Sequence, residues 1–462
     1  MHKVLWGLTT LAFAMPGMAQ EAPTARTEAG AVRGATEGDV ASWKGIPFAA
    51  APVGPLRWRA PQPAPPWAGV REATAYAHDC MQQPFGGDAA PLGTPPAEDC
   101  LYLNVWKPAA AKAKLPVVLW IYGGGYVNGG SSPPTYSGAN LARKGVLVVS
   151  FNYRLGRFGT FRHPALTRAN EDGPLGGNYG SLDQIAALQW VHRNIAEFGG
   201  DPANVTIMGE SAGGGSVHML LTSPRARGLA HRAVIMSGGD GHGLGPASAQ
   251  AVEAIGADFI AAKGIAAADP QALAKMRALS AEEVTDGLGL MRLFQPGKRD
   301  FSSPYVDAEV SPDVTVAYET GAYTKVPIMI GATSADIGGD TGPMIAGART
   351  LSAKTAEAGL PVYAYRFSYV AQSVATPGAQ HASDVPFFFD TQAVKYGAAT
   401  TPRDNAMGTT ISDYVVNFAK AGDPNGADLP RWPRYDAQRD LIMDFAADGK
   451  ARAGRDPLTG AK

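Results

Sequence analysis

With 462 residues, 45 % of them hydrophobic, the chain holds enough apolar material for a large core, which excludes a disordered protein. Forty Lys+Arg stand against 41 Asp+Glu, a net charge of -1 with no basic tract or acidic tail, so nucleic acid is excluded as a partner. Length alone predicts about three domains, yet no repeat or interdomain linker divides the sequence, and one folded domain over residues 22–455 is expected.

The chain begins Met1-His2-Lys3, continues with the apolar run Val4 to Met18 and reaches small residues at Gly17-Met18-Ala19. That layout predicts a secretory signal peptide over residues 1–19, cleaved near Ala19. An uncleaved anchor needs ~20 apolar residues, more than this run offers with Pro16 and Gly17 inside it. No later segment is apolar for long enough to span a bilayer, so no membrane association is expected after removal of the signal. Pro61 to Pro66 reads as a surface wrap. Only two cysteines occur, Cys80 and Cys100. Export would place them in an oxidising compartment, where one disulfide is the simplest outcome and two buried thiols the alternative.

Val117 to Tyr122, Val146 to Phe151, Val205 to Met208, Ala233 to Met236 and Pro327 to Ile330 are continuous apolar runs, the pattern of strands buried on both faces. Helical spacing lies between them, as in Leu182, Ile185, Ala186, Leu188 and Val191. Strands alternating with helices predict an α/β fold with a mostly parallel central sheet and helices on both faces.

Directly after Val205 to Met208 comes Gly209-Glu210-Ser211-Ala212-Gly213, followed by the helical pattern Val217, Met219, Leu220 and Leu221. A G-x-S-x-G between strand and helix marks Ser211 as a candidate nucleophile, because a strained turn needs neighbours without a Cβ. A plain glycine-rich turn is the alternative. Gly123-Gly124-Gly125 follows the strand ending at Tyr122. There the N–H groups of Gly124 and Gly125 can join that of Ala212 as an oxyanion hole. No G-K-[ST] follows any glycine cluster, which excludes a P-loop.

Gly209 to Gly213, Glu98 to Trp106 and Asn152-Tyr153-Arg154-Leu155-Gly156 together resemble the type-B carboxylesterases, a family that includes cholinesterases and para-nitrobenzyl-type esterases. Gly45 to Ala49, Asn194 to Pro202, Gly422-Asp423-Pro424-Asn425 and Trp432-Pro433 agree, so the similarity spans roughly residues 30 to 445. The resemblance implies an α/β-hydrolase fold, carboxylic ester hydrolysis and a Cys80–Cys100 disulfide near the active-site gorge. Glu210 matches the position of a buried family carboxylate that tunes the site, and Ser237 a supporting serine; a purely structural hydrogen-bond network is the alternative for both.

Of eight histidines, His381 in Gly378 to Phe387 is similar to the family's base-bearing loop. His2 leaves with the signal; His192 and His231 are expected at or near helical surfaces, His218 along a buried helix, and His78 and His163 in structural places. His242, on a glycine-rich loop, is the reserve. The acid should lie between nucleophile and base at a strand end, which selects Asp336, with Asp340 or Asp384 as substitutes. The family usually carries Glu followed by Gly here, whereas this chain has Asp336-Ile337; the shorter side chain requires the loop to sit closer to His381. Asp384 otherwise reads as a helix N-cap or first-turn residue.

Serine acyl transfer on a small-molecule ester follows, with no cofactor and no metal: H-E-x-x-H is absent, and two joined cysteines cannot bind zinc. Amide and carbamate cleavage share this machinery, and a catalytically silent adhesion module shares the fold. Between Asp336 and His381 the sequence offers only a strand at Val362 to Phe367 and one short helix around Ser352 to Glu357. Most relatives are longer here. A shortened cap and an open cleft that takes small to bulky esters are therefore expected, the alternative being closure by the loops Gly239 to Gly245 or Gly287 to Gly297.

Overall fold

A computed structural model describes residues 22–86, 90–241, 248–297 and 300–458. The apolar runs assemble into an eleven-stranded sheet. In chain order its strands are β1 (Ala35–Glu37), β2 (Val40–Pro47), β3 (Tyr102–Pro108), β4 (Leu115–Ile121), β5 (Leu147–Phe151) and β6 (Gly200–Glu210). They continue with β7 (Arg232–Met236), β8 (Ile328–Thr333), β9 (Val362–Phe367), β10 (Leu441–Phe445) and β11 (Ala451–Arg455). Their order across the sheet is β11-β10-β9-β8-β7-β6-β4-β5-β3-β2-β1. From β5 to β10 the neighbours are parallel, and antiparallel pairs close both sides.

Every residue of β5, β8 and β9 is buried, as unbroken apolar runs require when helices cover both faces of a sheet. The helices that matter to the site are α1 (Tyr179–Asn194), α2 (Ala212–Thr222), α3 (Pro343–Glu357) and α4 (Pro402–Ala421). The last of these starts with a capping box, Thr401 and Asp404 exchanging side-chain bonds with each other's backbone N–H, and stops at Gly422 in a left-handed conformation.

Several elements outrun their sequence signals. β6 begins at Gly200 rather than Val205, because a register shift between those residues lets the polar stretch join the sheet. α3 spans 15 residues where a short helix around Ser352 to Glu357 was expected. Gly347 interrupts its helical pattern, yet a Cβ there would lie 2.6 Å from the Asp240 backbone nitrogen, so this close packing needs glycine. This helix packs on β8 and β9 and belongs to the frame of the fold. Much of the interval between Asp336 and His381 is thus spent on framework.

Cys80 and Cys100 form a disulfide with an S–S distance of 2.05 Å, and both are buried. Residues 61–66 run over the surface without regular structure. The apolar N-terminal run lies outside the described residues, and among those described no helix is long and apolar enough to cross a membrane.

Candidate active site

One residue, Ser211, turns the chain from β6 into α2. Its backbone, at φ 55° and ψ -122°, lies where an L-residue is strained by about 1–3 kcal/mol. The flanking glycines make the turn possible. A Cβ at Gly209 would lie 2.3 Å from the Gly213 carbonyl oxygen, and one at Gly213 would lie 2.1 Å from that of Ile121. The turn is pinned to the next strand by a 2.9 Å bond from Ser211 N–H to the Met236 carbonyl.

The glycine triplet after β4 passes flush against this turn: a Cβ at Gly123 would meet the Ser211 Cβ at 2.8 Å. Gly124 and Gly125 adopt φ of 102° and 64°. Among the described residues, the N–H groups of Gly124, Gly125 and Ala212 donate to no backbone carbonyl. Three unspent donors beside a serine hydroxyl can hold an oxygen that gains negative charge.

Asp336 and His381 come from two loops that a short parallel bridge, Ala335 with Gln380, fastens together. The Ala335 N–H donates to the Ala379 carbonyl at 2.9 Å, and the Ser334 hydroxyl accepts from Ala379 N–H at 3.1 Å. This draws the acid loop inward, so the short aspartate reaches: Asp336 Oδ1 lies 2.6 Å from His381 Nδ1, and His381 Nε2 lies 2.8 Å from Ser211 Oγ. The other aspartate oxygen, Oδ2, accepts from the Ser237 hydroxyl at 2.6 Å, Thr333 Oγ1 at 2.9 Å and Thr333 N–H at 3.0 Å. Ile337 N–H donates to Oδ1 at 2.8 Å. Ser237 therefore helps to hold Asp336 in place.

Glu210, buried under the imidazole, brings Oε1 to 3.3 Å from His381 Nε2. Burial by itself disfavours an imidazolium, but Glu210 first, then Asp336 and Asp384, outweigh it and push His381 up to about 9. For Asp336 burial works against ionisation, yet the His381 hydrogen bond and charge, with Ser237 and Ile337, hold it down at about 2. Asp384 is pushed up to about 7 by burial and by the Asp336 charge. It occupies the N-cap position of the helix Val385–Phe388 as expected, but its side chain makes no cap hydrogen bond there; one oxygen accepts from the Tyr365 hydroxyl at 3.2 Å. Among the described residues no hydrogen bond joins Asp340 or Asp384 to His381.

Four of the other histidines have structural partners. His218 is buried with Nδ1 3.0 Å from the Tyr318 hydroxyl, and His163 accepts Ala165 N–H at the start of a helix. His78 Nδ1 lies 2.9 Å from the Pro95 carbonyl. His192 is exposed on α1. His231 is not at a helical surface: it leads into β7, and its ring accepts from Val205 N–H at 3.2 Å. His242 lies outside the described residues. No group of three or more His, Cys, Asp or Glu among the described residues is arranged to hold a metal.

A cavity of about 210 Å³ opens beside His381, walled by Thr135, Tyr136, Val374, Val385, Pro386 and Tyr396, with Lys395 also on its lining. Across the site, Leu290 and Leu293 come down on Gly125, where a Cβ would lie 2.2 Å from a Leu293 methyl. They pack with Val127, Leu288 and Phe301. Neither contact was legible in sequence. Thr333 had a weak signal, as a hydroxyl residue three positions before the acid at a strand end.

A family model described as the carboxylesterase family matches residues 21–342 and 342–457. The chain is 33 % identical to the fumonisin B1 esterase of Sphingopyxis macrogoltabida, over 91 % of this chain and 86 % of that protein. It is 32 % identical to the para-nitrobenzyl esterase of Bacillus subtilis (strain 168), over 90 % of this chain and 94 % of that protein. A solved PNB esterase superposes with a TM-score of 0.83 at 29 % identity, covering 95 % of this chain and 98 % of the other.

Proposed function

The chain belongs to the carboxylesterase family and hydrolyses carboxylic esters, and we propose that Ser211, His381 and Asp336 carry that reaction. The observation that supports this most is the continuous relay, 2.8 Å from serine to imidazole and 2.6 Å from imidazole to carboxylate. Ser211 Oγ attacks the ester carbonyl while His381 Nε2 takes its proton. The carbonyl oxygen, now negative, is held by the N–H groups of Gly124, Gly125 and Ala212. His381 returns the proton to the departing alcohol, leaving an acyl group on Ser211. Water then repeats the sequence and releases the acid. Asp336 sets the imidazole tautomer and balances its charge.

Since the alcohol leaves on the imidazole side, the cavity beside His381 receives it, and the leucine pair over Gly125 faces the acyl group. The cavity walls are mostly apolar, and Met291 and Phe294 on the leucine segment are exposed. This supports a substrate range from small to bulky apolar esters. Residues 1–19 act as an export signal, and the Cys80–Cys100 bond suits an oxidising destination, periplasmic or extracellular.

A fluorophosphonate probe tests the reading. It should label one site per chain, mapped by peptide mass to Ser211. Labelling elsewhere, or none, would refute it. For substrate size, kcat/KM over esters of rising alcohol and acyl bulk should decline gently; a steep loss beyond short acyl chains would show that the leucine segment closes the site.

A further inference from the structure

Three stretches meet beneath the oxyanion glycines without a strand or α-helix to join them: residues 81–85 after the disulfide cysteine, the loop 122–129, and the approach to the leucine segment at Gly289 and Leu290. At their junction lie two buried carboxamides, Gln82 and Asn128. The Asn128 amide group donates to Gln82 Oε1 at 3.1 Å and to the Gln83 carbonyl at 2.6 Å. Its Oδ1 accepts from Leu290 N–H at 2.6 Å. Gln82 in turn donates to the carbonyls of Cys80 and Gly129, at 2.9 and 2.7 Å, and accepts from Gly129 N–H at 2.9 Å. Every polar atom of both carboxamides is used. Flipping the Asn128 amide would set oxygen against two oxygens and nitrogen against an N–H, so the network admits one orientation.

Through its backbone Asn128 reaches the oxyanion loop itself. Its N–H donates to the Gly124 carbonyl at 3.0 Å, and its own carbonyl oxygen occupies the space a Gly124 Cβ would take, at 2.3 Å. Asn128 thus clamps the peptide that joins Gly124 to Gly125. Leu290, held by the Asn128 side chain, carries the segment whose Leu293 rests on Gly125.

We propose that Asn128 is a positioning residue for the ester hydrolase reaction. It ties the disulfide loop and the leucine segment to the oxyanion loop and so fixes where the Gly124 and Gly125 N–H groups point. This rests on the reading of those two groups as oxyanion donors. An oxyanion hole works only if its donors are fixed before charge develops, and three stretches without a strand or α-helix supply little such rigidity themselves. Losing the tie should therefore lower kcat and leave ground-state binding nearly intact.

The test compares wild type with Asn128→Ala, the isosteric Asn128→Asp and Gln82→Ala, each with active sites counted by end-point fluorophosphonate titration. Asn128→Asp keeps the shape and the acceptor for Leu290 but turns an oxygen toward Gln83 and Gln82. All three should label fully, with kcat per titrated site down by about tenfold to a hundredfold and KM within about threefold. A wild-type kcat per site in the folded variants, even with a lowered Tm, would overturn the proposal, as would a loss confined to KM. Should the Asn128 variants not fold, Gln82→Ala, which lies outside the oxyanion loop, decides by the same criteria. Failure of wild type to take the label would instead strike at Ser211 itself and remove the premise.

Discussion

The floor and the roof of the site are built in different ways. The floor, Gly123 and Gly124 beneath and Gly209 to Gly213 around Ser211, is shaped by side chains that are missing: at Gly123, Gly124, Gly209 and Gly213 backbones approach to distances at which a Cβ would collide. The roof, from Leu288 to Phe301 and from Val374 to Tyr396, is shaped by side chains that are present and reach across the fold. Collision is a local constraint that leaves glycines at fixed spacing, whereas reach depends on partners far away in sequence. The floor should accordingly be intolerant of change and set the chemistry, and the roof tolerant and set selectivity.

Asp336→Asn should give the largest effect, because the amide stabilises the wrong imidazole tautomer. A loss in kcat of about 10⁴ with native Tm is expected. Full activity would move the acid elsewhere, with Asp384 tested next. Gly213→Ala probes the floor directly. Its Cβ would fall 2.1 Å from a backbone oxygen that cannot swing aside, so a destabilisation of about 1–3 kcal/mol and loss of probe labelling are expected. Wild-type labelling in that variant would dissolve the distinction drawn here.

The pH dependence comes next in size. Raised to about 9, His381 is protonated and unable to accept the serine proton below that value, so kcat/KM should climb through the alkaline range. An unperturbed imidazole near 6.5 would place the inflection on the acid side of neutrality. The difference comes from carboxylates facing the ring, Glu210 foremost. Glu210→Gln should therefore shift the inflection to lower pH; an unmoved profile would leave Glu210 a structural role only. Smallest should be Leu293→Ala in the roof, which should leave short-chain kcat within about threefold and raise relative kcat/KM for bulky acyl groups. Equal changes across the series would show that the roof does not select.

What could be read from sequence follows the same division. The readings of Ser211, Gly124, Gly125 and Ala212 rest on one short stretch each, where strand, glycines and helix occur together. Asp336 and His381 needed the resemblance to a known family as well, since the bridge between Ala335 and Gln380 that brings them together leaves no local trace. Asn128 and the cavity wall were silent, and of the leucines only their loop, Gly287 to Gly297, was marked as one that could close the site. An asparagine after a glycine loop reads as an ordinary turn residue until Gln82 and Leu290 are seen around it. Helix α3 was half hidden for a related reason, because Gly347 weakens the helical signal at the place where the packing demands it.

Acyl transfer through Ser211 on the glycine floor would leave a covalent intermediate on that residue. Mixing enzyme with an ester of slow deacylation, quenching in acid within the first turnover and mapping peptides by mass tests it most directly. The account predicts up to one acyl group per chain on the peptide carrying Ser211, and none on the Ser211→Ala protein. An acyl group on another residue, or turnover of the same ester by Ser211→Ala at the wild-type rate, would contradict it.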